Sequence, residues 1–466
     1  MECVGIGRAL RASGVTSRVL SVSPEPRDEV VLGQCHSPFP RFIPVVSCGT
    51  PAVRPAKRDP AFSVAFAERL HRGLGLQGER LDDRLARMRQ NPIHFFRALP
   101  SLFVEDVLGE YAATARLLPR PAPEQAVAID VHLNNFGIYR GPDGQPVWGL
   151  NDFDQADHGT PELDLGRLAT SLALQGRKAG LDAEERSQVL HAAVRAYCEQ
   201  LGEASPGSYL AFQETTGPVQ ALFGQVEQDR WRFVRDMIER TPDGMVFKRN
   251  DEVRDATPEA VAAVRAGLDE YAGRLPADTP LRRPLMVLDV AEKWGSGGST
   301  RGLPRYYALV VAEEPSASPY VLEIKQLLAS PLVDRTGDLS RADAQAAVAR
   351  QRDLGGYHNG LTGHAGHGWL VREREPEKLD LGNSDMNSLE ELLEVAAQAG
   401  RVLARAHAPT PESSQSLRDW VGPDADLLER NLGTFGESYA DQVAADWEAF
   451  RAVTAGLTTR PVVERF

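Results

Sequence analysis

Residues 129–137 read Ile-Asp-Val-His-Leu-Asn-Asn-Phe-Gly, and residues 151–154 read Asn-Asp-Phe-Asp. Between them lie two apolar stretches, 136–140 and 145–150, joined by Gly-Pro-Asp-Gly. Pro fixes φ, Asp bonds its own backbone and Gly accepts a positive φ, so this tetrapeptide predicts a turn between two strands. Because paired strand ends lie about 5 Å apart, the sequence predicts that Asn135 and Asp152 lie side by side.

The hairpin carries side chains whose spacing is typical of phosphoryl-transfer enzymes of the protein-kinase kind. Asp130 precedes Asn135 by five residues, and Asp152 is followed by Phe153. Kinases use an Asp to take the acceptor's proton, and an Asn and a Phe-flanked Asp to hold magnesium. We therefore expect Asp130 to be catalytic and Asn135 and Asp152 to be metal ligands. Asp154 is either a further metal ligand or a solvated carboxylate.

A second candidate half-site lies roughly 150 residues later. Strands are predicted at 285–290, 305–311 and 320–325, which together form a small antiparallel sheet. A Gly/Ser loop precedes the second strand, and Lys325 ends the third. The alternatives are an ordinary linker and an edge lysine. The kinase interpretation predicts that the phosphates of ATP are bound by Gly295, Ser296, Gly297, Gly298, Ser299 and Lys325.

The order of these two halves decides the expected fold. In ordinary kinases the Gly-rich flap and the Lys precede the Asp/Asn/Asp set, and here they follow it. We therefore expect an α+β, protein-kinase-like two-lobe fold that is circularly permuted, with a helix-rich large lobe and a small antiparallel sheet lobe. Permutation is tolerated when the original termini lie close together.

Composition and periodicity divide the chain into four predicted regions. These are a disordered leader (1–58), a mainly helical region with the catalytic loop and metal site (59–283), the small sheet (284–335) and a helical C-terminal region (336–466).

Within these regions the apolar spacing predicts individual helices. They are expected at about 61–89, from Thr160 onward, at 183–201, 218–240 and 258–274, and again from residue 340, with a capping box that begins at Ser388. A mobile Gly/His loop is expected around His364 and His367.

Charge and cysteine content narrow the classes of partner. The 466 residues carry a net charge of −13, which argues against nucleic acid or an anionic membrane as the main partner. The four cysteines form no C-x-x-C pair, so a disulfide framework or zinc site is not expected. No apolar run reaches the ~18–20 residues that span a bilayer. We expect a cytoplasmic protein.

Three further residues have two interpretations each. Asp164 lies at a helix start, where it either caps the helix or supports the catalytic loop. Arg97 follows two Phe residues and either extends to solvent from a helix or contacts a phosphate. His132 is expected to pack within the loop and not to bind a metal.

Several motifs give the chain a family resemblance over about residues 60 to 450. With them in view, it resembles the bacterial family known as domain of unknown function 2252, which is grouped with kinase-like phosphotransferases. The Asp-x-His-x-x-Asn portion is also similar to the catalytic loop of aminoglycoside phosphotransferases. The resemblance implies a kinase-like fold with nucleotide and magnesium sites, and it rests on residues 91–97, 130–137, 151–155, 164–169, 295–300, 324–325, 403–408 and 439–442.

The chain also departs from the family pattern. The family has Gly where Ile129 stands, an acidic residue at Gln155 and Gly at Ala98. The helix expected at about 340–354 lacks the usual Glu, which in kinases pairs with the phosphate-binding Lys.

Two classes of function follow from these observations. The first is an ATP- and magnesium-dependent phosphotransferase that acts on a hydroxyl group of a small molecule or a protein. The second is a nucleotide-binding regulatory module with weak or no catalysis. Transfer of AMP with the same metal ligands is a third hypothesis, and the sequence does not distinguish it from phosphate transfer.

Overall fold

The computed structural model describes residues 58–203, 207–242, 244–275, 280–282, 284–312, 318–332, 360–364 and 367–455. The chain divides after Thr50, and all of these residues belong to the unit that begins at Pro51. Apart from Arg58, the predicted leader lies outside the described residues. Among the described residues, no helix has the length and apolar character needed to cross a membrane.

Helices form most of the regular structure. Several begin with Pro, whose fixed φ suits the first turn and whose missing N–H would have no helical partner there. They are α1 (Pro60–Gly73), α2 (Gly78–Gln90), α3 (Pro92–Ala98), α4 (Pro100–Leu108), α5 (Ala112–Ala115), α6 (Pro161–Lys178), α7 (Ala183–Gln200), α8 (Gly217–Phe223), α9 (Arg230–Met237), α10 (Pro258–Arg274), α11 (Leu389–His407), α12 (Pro411–Val421) and α13 (Ala425–Val453).

The strands form small antiparallel sheets, so the expected α+β class is confirmed. They are β1 (Gln125–Val127), β2 (Phe136–Arg140), β3 (Pro146–Leu150), β4 (Asp157–Gly159), β5 (Tyr209–Ala211), β6 (Ile238–Thr241), β7 (Gly244–Phe247), β8 (Val253–Asp255), β9 (Met286–Lys293), β10 (Arg305–Val311), β11 (Tyr320–Gln326), β12 (Gly360–His364), β13 (His367–Glu373) and β14 (Leu379–Asp380). A six-stranded sheet has the order β12-β13-β11-β10-β9-β8, a four-stranded sheet has the order β14-β2-β3-β5, and β1 pairs with β4 and β6 with β7.

The predicted hairpin is present as β2 and β3. Phe136 pairs with Leu150 across the strands, and the N–H of Asn151 donates to the carbonyl oxygen of Asn135 at 2.9 Å. The ring of Phe136 stacks on Trp148 at a centroid distance of 5.3 Å. This hairpin brings Asn135, at the end of the loop that contains Asp130, beside the Asn-Asp-Phe-Asp stretch, as the sequence predicts.

The largest apolar core packs this hairpin against α6, α7 and α11. Helices α7 and α11 approach closely at Gly400, where a Cβ would overlap the carbonyl oxygen of Ala193. A second core joins α3, α4 and α13 through aromatic side chains such as Phe103 and Tyr439, whose centroids are 5.1 Å apart. The six-stranded sheet packs on α10.

The motif at residues 439–442 has a structural role in the second core. The hydroxyl of Tyr439 donates to Asp106 at 2.7 Å. Gln442 bonds the backbone of Arg58, whose guanidinium lies between Asp106 and Asp446. These contacts attach the start of the described chain to α13.

Several predicted helices are confirmed, and two of those predicted before residue 340 are not. Helix α6 begins at Pro161 as expected, and α7, α10 and α11 occupy the predicted ranges, α11 with its capping box at Ser388. The single helix predicted at 61–89 is wrong, because the chain breaks at Gly75, whose φ of 66° is left-handed. The helix predicted at 218–240 is also wrong, because the Asp229 side chain caps a new helix and β6 begins at Ile238.

The prediction of helices from residue 340 is wrong for residues 360–373, which form β12 and β13. Pairing with β11 decides this conformation, since β13 occupies the edge that β11 would otherwise leave open. His364 and His367 are partners at the end of this hairpin. Residues 340–359 lie outside the described residues, and the four predicted region boundaries stay predictions.

Candidate functional site

The loop that contains Asp130 leaves β1 through a left-handed residue. Ile129 has a φ of 66°, the one non-glycine residue with a positive φ in the described part of the chain. The N–H groups of Ala128 and Ile129 donate to the two carboxylate oxygens of Asp164, each at 2.7 Å. Asp164 lies on α6 and also contacts Nε2 of His407 at 3.1 Å. Asp164 therefore supports the loop that contains Asp130, which is the second of the two interpretations given for it from the sequence.

Asp130 follows directly and is held on both sides. Its Oδ1 accepts a hydrogen bond from Nη2 of Arg167 at 2.6 Å, and its Oδ2 accepts one from the hydroxyl of Ser299 at 3.4 Å. The amide Nδ2 of Asn135 donates to the carbonyl oxygen of Asp130 at 2.7 Å. Burial raises the pKa of the Asp130 carboxyl, and the charge of Arg167 opposes that rise.

Arg167 is a site residue to which the sequence analysis gave no role. It is fully buried, its guanidinium lies 4.1 Å from the ring centroid of Phe96, and it donates to the Phe96 carbonyl oxygen at 3.2 Å. Its position three residues after Asp164 places both on one face of α6, which was the available signal. His132 is buried beside it. Burial, and to a smaller extent the charges of Arg97 and Arg167, lowers the pKa of His132 well below its ordinary value. This agrees with the expected packing role.

Lys325 joins the sheet to the end of the hairpin. The side chain is 2% exposed, and its Nζ donates to Oδ1 of Asp152 at 3.2 Å and contacts Oδ2 of Asp154. Burial and the charge of Asp152 raise the pKa of Asp154. For Asp152, burial acts in the same direction, but the charges of Lys325 and Arg372 outweigh it and lower the pKa.

A second cation, Arg372, also connects the six-stranded sheet with the hairpin. Glu323 lies two residues before Lys325 on β11 and binds Arg305 at 2.8 Å and Arg372 at 2.7 Å. Arg372 also donates to the carbonyl oxygen of Asn151 at 3.4 Å. Arg372 was not predicted as a site residue, because no strand was expected at the position of β13. The helix expected to lack a Glu partner for Lys325, about 340–354, lies outside the described residues.

The Gly-rich loop is fastened to α2. Gly295 and Gly297 have φ values of 75° and 93°, which favour glycine. Arg84, which is fully buried, donates to the carbonyl oxygens of Ser299 at 2.7 Å and Arg301 at 3.0 Å. No pattern in the sequence connected α2 with this loop.

The structure brings the two predicted half-sites to one place. Ser299 reaches Asp130, and Lys325 reaches Asp152 and Asp154. Gly295, Ser296, Gly297 and Gly298 belong to the same loop as Ser299, and Arg97 lies below it, with its carbonyl oxygen 3.3 Å from where a Cβ on Gly298 would be.

The oxygen donors of Asp152, Asp154 and Asn135 fit a magnesium ion better than a cation whose ligands must all come from the protein. Among the described residues, no group of three or more His, Cys, Asp or Glu side chains is arranged for a metal. Asp152 and Asp154 supply two carboxylates, and Asn135, whose Nδ2 is engaged by Asp130, supplies an amide oxygen. Mg²⁺ is usually held by one or two carboxylates, with water and substrate phosphates in its other positions. Burial and, after it, the charge of Asp152 raise the pKa of Asp154, and a bound cation would favour its ionised form.

Comparison with known proteins gives one match. No curated protein and no solved structure matches the chain. One family model, described as "Uncharacterized protein conserved in bacteria (DUF2252)", matches residues 77–453 and so contains Asp130, the β2–β3 hairpin, the Gly-rich loop and Lys325. The resemblance to this family is thereby confirmed, and the chain belongs to this bacterial family.

Proposed function

We propose that this protein is an ATP- and Mg²⁺-dependent phosphotransferase that acts on a hydroxyl-bearing acceptor, either a small molecule or a protein. The observation that carries the proposal is the meeting of segments far apart in sequence. Ser299 of the Gly-rich loop contacts Asp130, and Lys325 of the sheet contacts Asp152 and Asp154. A flap, a Lys and an Asp/Asn/Asp set are the parts that kinase-type phosphoryl transfer requires.

In this proposal Asp130 orients the acceptor hydroxyl and accepts its proton. Arg167 holds Oδ1, which fixes the plane of the carboxylate. Burial raises the pKa of Asp130, which makes its carboxylate a stronger base, while the charge of Arg167 favours the ionised form that a base must have.

The other groups would bind the nucleotide. Asp152, Asp154 and Asn135 would hold Mg²⁺, which when bound neutralises charge on the phosphates. Lys325 lies against both carboxylates, so phosphate oxygens bound to it would be next to the metal ligands. The remaining donors to the phosphates would be the backbone N–H groups of Gly295, Ser296, Gly297, Gly298 and Ser299.

We extend the proposal to the fold, as a circularly permuted kinase-like arrangement of two lobes. Its support is that the six-stranded antiparallel sheet carries both the loop and Lys325, whereas the hairpin with Asp130 precedes it and packs on helices. In kinases a sheet likewise carries the Gly-rich loop and the Lys, and a second part carries the Asp/Asn/Asp set, but the two parts occur in the opposite order along the chain.

A nucleotide-binding module without transfer activity is the second candidate, and one observation favours it. The ammonium of Lys325 is already paired with Asp152 and Asp154. Any cation must share those carboxylates with Lys325, which would weaken metal binding and hence catalysis.

Asp152→Asn tests the assignment, with Asp143→Asn in the exposed turn of the same hairpin as the matched control. ATP should raise the melting temperature of the wild type and of Asp143→Asn in MgCl₂ but not in EDTA. We expect Asp152→Asn to lose this Mg²⁺-dependent stabilisation and to lower ATP turnover by about 100-fold or more. Unchanged turnover in Asp152→Asn would refute the proposal.

Labelled ATP separates the remaining alternatives. With γ-labelled ATP and a bacterial metabolite and protein extract, the label should move to an acceptor. Movement of the α-label instead would indicate AMP transfer. Mg²⁺-dependent binding of ATP with neither label moved would favour the binding module.

A further inference from the structure

A cavity of about 140 Å³ lies beneath the Gly-rich loop, between the loop and helices α2 and α3. Its lining includes Arg84, Arg87, His94, Arg97, Gly298 and Arg301. The loop packs directly on α3, since a Cβ at Gly298 would lie 3.3 Å from the carbonyl oxygen of Arg97. The cavity is thus enclosed by the same loop that places Ser299 on Asp130.

The lining is strongly cationic. Among the described residues that line the cavity, four are arginines and none is acidic. Arg301 is paired with Asp83 at 2.9 Å, and Arg84 donates to backbone carbonyl oxygens. Arg87 donates to Oε1 of Gln90 at 2.7 Å, so these three arginines have acceptors, and Arg97 is the fourth.

Arg97 is the residue that points to a ligand. Its Nε is buried and has no hydrogen-bond partner among the described residues. Burial, and after it the charge of Arg87, lowers the pKa of Arg97 to about 10, whereas the charges of Asp130 and Asp152 raise it. A buried N–H donor without a partner is costly, and an anion in the cavity would remove that cost.

His94 adds a neutral donor to the same cavity. Burial and the charges of nearby arginines, Arg87 and Arg97 first, lower the pKa of His94 to about 2. Its Nδ1 lies 3.2 Å from Nδ2 of Asn91, whose Oδ1 accepts from the His94 N–H at 2.9 Å. Nδ1 therefore accepts, which leaves the proton of the neutral ring on Nε2.

We propose that this cavity binds an oxyanion group, a phosphate or a carboxylate, of the acceptor, so that the acceptor is an anionic hydroxyl compound. The inference rests on the phosphotransferase function proposed above. At about 140 Å³ the cavity is smaller than the roughly 300–1,000 Å³ pockets that hold drug-sized ligands, so it fits one oxyanion group and not a whole nucleotide. Gly295, Gly297 and Gly298 line the cavity and also belong to the loop proposed to bind the nucleotide, so the cavity adjoins the nucleotide phosphates. Lys325, Asp152 and Asp154 do not line it among the described residues, so the proposed metal ligands lie outside it.

The test is calorimetric titration of the full chain with inorganic phosphate and with malonate, at ionic strength held constant with chloride. We expect saturable binding of at least one of these anions by the wild type. Arg97→Gln should weaken that binding about tenfold or more, because it removes a charged donor. The control Arg195→Gln makes the same change at an exposed site on α7 and should leave the affinity unchanged. If Arg97→Gln does not fold, Arg87→Gln takes its place.

Repeating the phosphate titration with saturating ATP and MgCl₂ identifies the source of the oxyanion. An affinity within about twofold of the value without ATP supports an acceptor site. Competition by ATP, together with weaker ATP binding in Arg97→Gln, would assign the cavity to the nucleotide and overturn the inference.

Failure of the inference is distinguishable from failure of the proposed function. Absence of saturable binding of both anions overturns the inference alone if Mg²⁺-dependent stabilisation by ATP persists. Anion binding by a protein that does not bind ATP and Mg²⁺ would overturn the proposed function, and the acceptor assignment with it.

Discussion

At the scale of single residues, Ile129 is the most unusual position of the described chain. A β-branched side chain at a φ of 66° is strained, and this residue precedes Asp130. The resemblance noted from the sequence places Gly here in related proteins, and the structure supplies the reason, since glycine adopts this conformation without steric cost. The Ile129 side chain is nonetheless buried in the second core, which offsets the strain.

Paired substitutions separate the strain from the packing. Ile129→Ala and Ile129→Gly both remove the buried side chain, but only Gly relieves the left-handed strain. We expect Ile129→Gly to be the more stable of the two by about 1 kcal/mol, measured by denaturant unfolding. Outside this conformation Ala is the better residue, so equal stabilities, or a more stable Ile129→Ala, would contradict the strain.

Residue spacing predicted part of the candidate site. Asp130, Asn135 and Asp152 could be selected because a local hairpin fixes their proximity. Arg84 and Arg372 could not, because their contacts depend on how distant elements pack. The analogy with kinases predicted that Lys325 binds the phosphates of ATP, which stays a prediction. The contacts of Lys325 with Asp152 and Asp154 were not predicted, since nothing local connects β11 with the hairpin.

At the scale of elements, helices α6 and α11 hold the loop that contains Asp130 in place. Asp164 on α6 accepts from two loop N–H groups, and His407 on α11 contacts the same carboxylate. The other ring nitrogen of His407 lies 3.0 Å from the hydroxyl of Tyr197 on α7. The position of Asp130 is thus fixed by a buried polar chain across three helices.

Asp164→Asn should break this chain. The amide keeps one acceptor oxygen, and its NH₂ group faces a backbone donor. We expect the free energy of unfolding to fall by about 3 kcal/mol in chemical denaturation. Asp236→Asn, at an exposed position, should change it by no more than about 0.5 kcal/mol. Similar small changes in both variants would show that the chain contributes little.

Elements were predictable where the local pattern was strong. Strands β10 and β11 and helices α7, α10 and α11 follow from apolar periodicity and capping residues. Strands β12 and β13 were missed because their Gly- and His-rich sequence has no clear period, and pairing with β11 determines their conformation. The breaks at Gly75 and before Asp229 were missed because apolar residues continue across them.

At the scale of the whole molecule, a charged cluster connects the β2–β3 hairpin with the end of β13. Arg140, the last residue of β2, binds Glu377 at 2.8 Å and Glu373 at 3.3 Å, and its N–H donates to Glu375 at 2.9 Å. Burial and the nearby charge of Glu373 raise the pKa of Glu375 to about 7 from its ordinary 4.5. Glu375 therefore titrates near neutral pH.

This shift predicts the pH dependence of stability. Between about pH 4.5 and 7 the folded state keeps the Glu375 proton that the unfolded state loses, so the contribution of this group to stability falls as pH rises and is constant above that window. Glu375→Gln cannot ionise, so its stability relative to the wild type should increase from pH 5 to pH 8 in denaturant unfolding. The exposed control Glu448→Gln should show no such trend. Parallel curves for Glu375→Gln and the wild type would contradict the prediction.

The attachment of the Gly-rich loop to Arg84 has a consequence for the thermodynamics of binding. A loop whose carbonyl oxygens are already bonded to a buried guanidinium has lost its backbone entropy during folding, about 1–2 kcal/mol per residue at 25 °C. A ligand entering beside it does not have to order those residues again. Association should therefore proceed without a slow closing step, and its entropy should be dominated by released water instead of by the chain.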